Sequence, residues 1–187
     1  MKLSLRALSM AAMLSVASIS TAAIAQENPM VGGAAMSAEL NIIENAVNSA
    51  DHTTLVAAVQ AAGLVETLSG EGPFTVLAPT NAAFEALPEG TVDTLLLPEN
   101  KELLTQILTC HVIPTLALST DIVGMVEADG GAHEVETVGG CVLTLKSENG
   151  TVTVTDENGT VANVTIADVR QSNGVIHVID AVLQPAM

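Results

Sequence analysis

Apolar residues recur at helical spacing through the first half of the chain and at alternating, strand-like spacing through the last third. In "SAELNIIENAVNSA" (37–50), Leu40, Ile43, Ala46, Val47 and Ala50 fall on one helical face, with Ser37 placed to cap it. "DHTTLVAAVQAAG" (51–63) repeats the device: Leu55, Val56, Val59 and Ala62 form the face, Asp51 or Thr53 caps the start and Gly63 ends it. The period then switches. Phe74 to Ala78 is a short apolar run between Pro73 and Pro79, the pattern of a buried strand. Thr80 or Asn81 caps a following helical turn with Phe84 and Leu87 on one face, and Pro88-Glu89-Gly90 stops it. "PENKELLTQILT" predicts a helix with Pro98 in its first turn and Leu103, Leu104, Ile107 and Leu108 facing the core. That helix feeds directly into a strand at His111-Val112-Ile113.

After Pro114 the chain becomes β-like, except for a short turn of helix at "STDIVGM". Asn149-Gly150 and Asn158-Gly159 are each followed by alternating Thr and Val, which predicts hairpins on two-residue turns with positive φ at both central positions. A meander of short strands over 133–170 and a final strand in "VIHVIDAVLQP" complete an α+β reading. The two "[SD]ENGTV" copies cluster Asp, Glu and Asn, but neither has the spacing of a calcium loop, and turn chemistry accounts for both.

The first 25 residues stand apart. Lys2 and Arg6 precede an apolar stretch that ends in Ala23-Ile24-Ala25, the pattern of a signal peptide (1–25) and too short for a spanning helix. "QENPMVGGAAM" (26–36) reads as a flexible lead, and the fold is expected over 37–187. No later stretch is long enough to cross a bilayer.

Charge narrows the partners. All 21 acidic residues follow the leader, opposed there by only Lys101, Lys146 and Arg170. Such a surface repels nucleic acid and anionic lipid. With two Phe and no Trp or Tyr, the chain also lacks aromatic platforms for stacking sugars or bases.

Enzymatic chemistry finds no foothold either. Nucleophile elbow, zinc-protease helix, phosphate loop and dinucleotide turn are all missing, and Ser172 near His177 has no third, orienting group by spacing. The reading is therefore no enzyme and no cofactor. Cys110 and Cys141 form either one disulfide, in an exported protein that permits it, or two buried thiols. His111 and His177, each inside a His-Val-Ile or Ile-His-Val run, are either buried hydrogen-bonding residues or metal ligands, with His133 a third candidate in a metal carrier.

Three motifs together resemble a fasciclin domain: "FTVLAPTNAAF" (74–84), "LTCHVIP" (108–114) and "NGVIHVIDAVLQP" (173–185), with the similarity extending over roughly 37–185. The resemblance implies a twisted β-wedge of short sheets with several helices packed over it. It also implies structural roles for His111 and His177. Where the family usually has tyrosine before the central histidine, this chain has Cys110, and a bridge to Cys141 would replace the lost packing. Asp168-Val169 correspond to the Asp-aliphatic pair that the family's eukaryotic members use for receptor contact, and Asp121-Ile122 is another Asp-aliphatic pair, so these four residues are the partner-binding candidates. The function implied is an exported, non-enzymatic adhesion module for cell-surface or matrix proteins or glycans. It would act secreted or periplasmic, with or without surface attachment, and weak self-association would supply avidity. The alternative is a periplasmic small-ligand or metal-binding carrier.

Overall fold

The computed structural model describes residues 28–186, so the leader (1–25) lies outside the described residues. The stretch expected to be a flexible lead is instead tied down from Met30. A small ribbon pairs β1 (Met30–Val31) with β2 (Ala34–Ala35), and Val31 and Met36 are buried. Two apolar anchors and the Gly32-Gly33 turn overrode the loop-like composition.

Helix α1 (Ile42–Ala46) begins later than its apolar spacing predicted. Asn41, not Ser37, is its cap: Asn41 Oδ1 accepts from the amides of Ile43 and Glu44, and the Glu44 carboxylate accepts from the Asn41 amide. The buried face is correspondingly rotated, so that Ile42 and Asn45 point inward and Val47 is exposed. A 3₁₀ turn at Ala50–His52 leads into α2 (Thr53–Ala62), which buries Leu55, Val59 and Ala62 and ends on left-handed Gly63 as expected. Its start is capped from a distance. Asn81 Oδ1 accepts from the Thr54 amide, while Asn81 Nδ2 donates to the Ala50 carbonyl.

The helices α3 (Val65–Ser69) and α5 (Thr91–Leu95) were not legible from periodicity, being single short turns. Between them come β3 (Phe74–Pro79) and α4 (Asn81–Glu85), the latter capped by Thr80 through the Ala83 amide. After a 3₁₀ turn at Pro98–Asn100, α6 (Lys101–Thr109) buries Leu104, Ile107 and Leu108. Leu103 is 40% exposed, on the flank rather than the face expected. Then follow β4 (Val112–Ile113) and α7 (Ser119–Ala128), ten residues rather than one turn.

The meander is β5 (His133–Glu136), β6 (Val142–Glu148), β7 (Thr151–Thr155), β8 (Val161–Gln171) and β9 (Gly174–Ile179). Sheet order is β4-β3-β9-β8-β7-β6-β5, antiparallel throughout except for the parallel pair β3 and β9. Asn149 and Gly150 both have positive φ, so the β6–β7 hairpin has the expected two-residue turn. The second Asn-Gly does not. Between β7 and β8 only Gly159 is left-handed, and Asp156 Oδ1 holds the amides of Asn158 and Thr160 in a longer bulged loop.

β8 is the bend of the wedge, with register shifts between Val164 and Val169. Strands β3 and β9 are buried on both faces. One face, with Val76, Ala78, Ile176 and Val178, packs under α1, α2 and α6; the other, with Leu77 and Ile179, packs with α7 and the meander's inner residues Leu143, Leu145 and Val154.

Candidate functional site

The two aspartates among the partner-binding candidates meet at one place, the N-terminus of α7. Asp168 sits at a bulge of β8 with φ 58°, a conformation that Asp tolerates better than most residues. Its Oδ1 accepts from the Ser119 amide at 2.7 Å and its Oδ2 from the Ser119 hydroxyl. Asp121 accepts from the Leu118 amide at 3.0 Å. Both carboxylates therefore satisfy donors that a helix start would leave unpaired. The expected exposed aliphatic partners are not there: Val169 and Ile122 are each 1% accessible, Val169 in the core beneath α1 and α2, Ile122 in the core beneath α7. Strand and helix periodicity turn Val169 and Ile122 inward beside their Asp.

His177 lies behind the same bulge. Its Nε2 donates to the Ala117 carbonyl at 2.9 Å, and its Nδ1 accepts from the Asp168 amide at 3.3 Å. His111 is held in the same manner, Nδ1 donating to the Ile107 carbonyl and Nε2 accepting from the Leu183 amide. Burial pushes both imidazoles below their ordinary pKa, His111 to about 4, with its bond to Ile107 and the nearby Asp156 charge opposing the shift. Neutral rings with both nitrogens spent on backbone have no lone pair left for a metal. His133 is apart, on β5, paired with Asp129 at 2.6 Å. Among the described residues, no three metal-ligating side chains cluster. Ser172 is exposed at the β8–β9 turn, and His177 directs neither ring nitrogen to it.

Cys110 and Cys141 are joined in a disulfide with a Cα separation of 5.4 Å. Cys110 ends α6 and Cys141 immediately precedes β6, so the bond fastens the helical layer to the far half of the sheet.

A surface cleft that sequence reasoning missed opens beside this node. It has about 240 Å³ and runs between Gly72-Pro73, the Leu116–Leu118 loop and the β8–β9 turn at Arg170 to Gly174. Leu116 is 51% exposed, and Arg170, the one arginine after the leader, makes no ion pair among the described residues. A single arginine after the leader, in so acidic a chain, was the available signal. Asn173 fixes the cleft wall: its Nδ2 donates to the carbonyls of Leu68 and Gly70, and its Oδ1 accepts from the Ile42 amide.

The fasciclin domain family matches residues 50–185. The chain belongs to the fasciclin family. Protein sll1483 of Synechocystis is 48% identical over 162 residues, covering 87% of this chain and 83% of that one. Immunogenic protein MPB70 of Mycobacterium bovis is 37% identical over 145 residues, covering 75% and 66%. A segment of transforming growth factor-beta-induced protein ig-h3 from Sus scrofa is 42% identical, covering 70% of this chain but 17% of that protein. In structure, this fasciclin domain is similar to the FAS1 domain pair of the insect cell adhesion molecule fasciclin I, with TM-score 0.68 and 17% identity, covering 79% of this chain and 51% of that one. That likeness speaks to fold. Among the described residues, no helix is long and apolar enough to cross a membrane.

Proposed function

We propose that this fasciclin domain is an exported, non-enzymatic surface-interaction module that binds protein or glycan partners. Membership of a family that includes a domain pair from a cell adhesion molecule is the observation that carries this reading. The leader pattern supports export, to the periplasm, the medium or the cell surface.

The contact surface we favour is the Arg170 cleft rather than the Asp-aliphatic pairs. An unpaired guanidinium beside exposed Leu116 offers a bidentate site for a carboxylate next to an apolar patch. Asp168 then acts indirectly, by holding the bulge from which Arg170 projects two residues on. One such domain gives a weak contact, and clustering or self-association would raise it to useful avidity.

The test is retention of cells and matrix components on immobilised residues 26–187. Retention that is lost in Arg170→Glu but kept in Leu103→Ser, an exposed change elsewhere, supports both the function and the site. Retention insensitive to Arg170→Glu keeps the function and discards the cleft. No retention of any cell or matrix component overturns the proposal.

A further inference from the structure

The pentapeptide Glu-Asn-Gly-Thr-Val occurs twice, at 148–152 and at 157–161. In both copies the glycine after the asparagine has no Cβ to shield its backbone nitrogen from the asparagine side chain. Local sequence therefore gives Asn149 and Asn158 the same intrinsic reactivity. The space around the two glycines is also alike, since a Cβ added at Gly150 or at Gly159 would meet nothing within 4 Å.

Hydrogen bonding separates the two copies. Asn158 Nδ2 donates to the carbonyls of Gln184 at 3.1 Å and Pro185 at 3.0 Å, and the Gly159 amide donates to the Asp156 carbonyl at 3.0 Å. The Asn158 backbone amide is held as well, by Asp156 Oδ1 at 2.9 Å. The side-chain nitrogen and the following backbone nitrogen are thus both tied. Asn149 and Gly150, by contrast, are the exposed central residues of the β6–β7 turn, between the paired Glu148 and Thr151. Among the described residues, neither Asn149 Nδ2 nor the Gly150 amide has a hydrogen-bond partner. Bringing the Gly150 nitrogen to Asn149 Cγ needs a rotation about the Asn149 ψ, which breaks no bond to either nitrogen.

We propose that Asn149 is a site of self-modification, at which the folded protein closes a succinimide with Gly150 and hydrolyses it while Asn158 stays intact. The Gly150 nitrogen gives its proton to solvent and attacks Asn149 Cγ; the Cγ–Nδ2 bond breaks, and Nδ2 leaves as ammonia with a proton from water. Water then adds to one of the two ring carbonyls. Opening on one side yields aspartate, and on the other isoaspartate, in which the main chain runs through the side-chain carbon. One amide and one water become one carboxylate and one ammonium ion, and nothing is oxidised or reduced. The new carboxylate stands next to Glu148. Isoaspartate also lengthens the main chain of a two-residue turn, so the end of the β6–β7 hairpin loosens.

The experiment incubates folded mature protein in ¹⁸O-water at neutral pH, beside the same protein reduced and unfolded in guanidinium. Trypsin, cutting after Lys146 and Arg170, releases both asparagines in one peptide, in which electron-transfer fragmentation locates the ¹⁸O-carboxylate and distinguishes aspartate from isoaspartate. In the folded protein Asn149 should convert on the order of a hundredfold faster than Asn158, where three hydrogen bonds must break first. In the unfolded chain the two rates should converge. Comparable rates in the folded protein, a faster Asn158, or a folded Asn149 that stays intact over the time in which the unfolded chain converts, overturns the proposal.

Discussion

Asp168 and Ser119 stand 49 residues apart, yet one carboxylate accepts both the amide and the hydroxyl of that one serine. The bulge of β8 is thereby locked to the first turn of α7. Removing the carboxylate in Asp168→Ala leaves a helix-start donor unpaired and forces Ala into positive φ, with an expected loss of about 1–3 kcal/mol. Asp168→Asn keeps an acceptor and a residue suited to that φ, and should lose clearly less. Urea denaturation of both variants checks the order. A loss of binding in Asp168→Ala is therefore to be read only beside its stability.

The disulfide closes a span of 31 residues. In the chain-entropy account, its removal in the double variant Cys110→Ala/Cys141→Ala should cost roughly 3–4 kcal/mol. Differential scanning calorimetry should show a lowered midpoint, and wild type should take up no alkylating reagent without reductant.

Acid should weaken the fold through its buried histidines. The unfolded His111 ring binds a proton near 6.5, the folded ring only near 4. Between those values the unfolded state holds more protons, so stability is full above about pH 6.5 and falls as pH drops towards 4, by on the order of 3 kcal/mol from this group. His52 and His177 are shifted in the same direction. His111→Gln should be less stable at pH 7.5 but show a shallower decline between pH 6.5 and 4, measured by urea midpoints across that range.

Asn173→Ala should be among the costliest polar substitutions. Three backbone groups, on Ile42, Leu68 and Gly70, depend on this one amide. An expected loss of about 2–4 kcal/mol follows from leaving such groups unsatisfied. Hydrogen exchange should locate the loosening at α1 and at the α3–β3 connection rather than in the meander.

Much of the architecture was legible because it rests on local rules. Helical spacing found α2 and α6, bounding prolines found β3, and the first Asn-Gly pair found the β6–β7 turn. The motifs at 74–84, 108–114 and 173–185 point to the fasciclin family by residue pattern alone. Where local rules competed, tertiary contacts decided. A capping box at Asn41 outranked Ser37, and Val31 and Met36 gave a glycine-rich lead something to bury against.

By itself, then, the sequence determined the class of fold, the surface charge, the leader pattern and the identity of the chemistry-bearing residues, since each follows from composition or from spacing within a few positions. Only tertiary structure decided what those residues do. Val169 and Ile122 became core, Asp168 became a cap for a distant helix, and His111 and His177 spent their nitrogens on backbone from other elements. The reason is physical: burial and hydrogen-bond satisfaction are properties of what surrounds a side chain, and the surroundings here come from residues as far as 131 positions away.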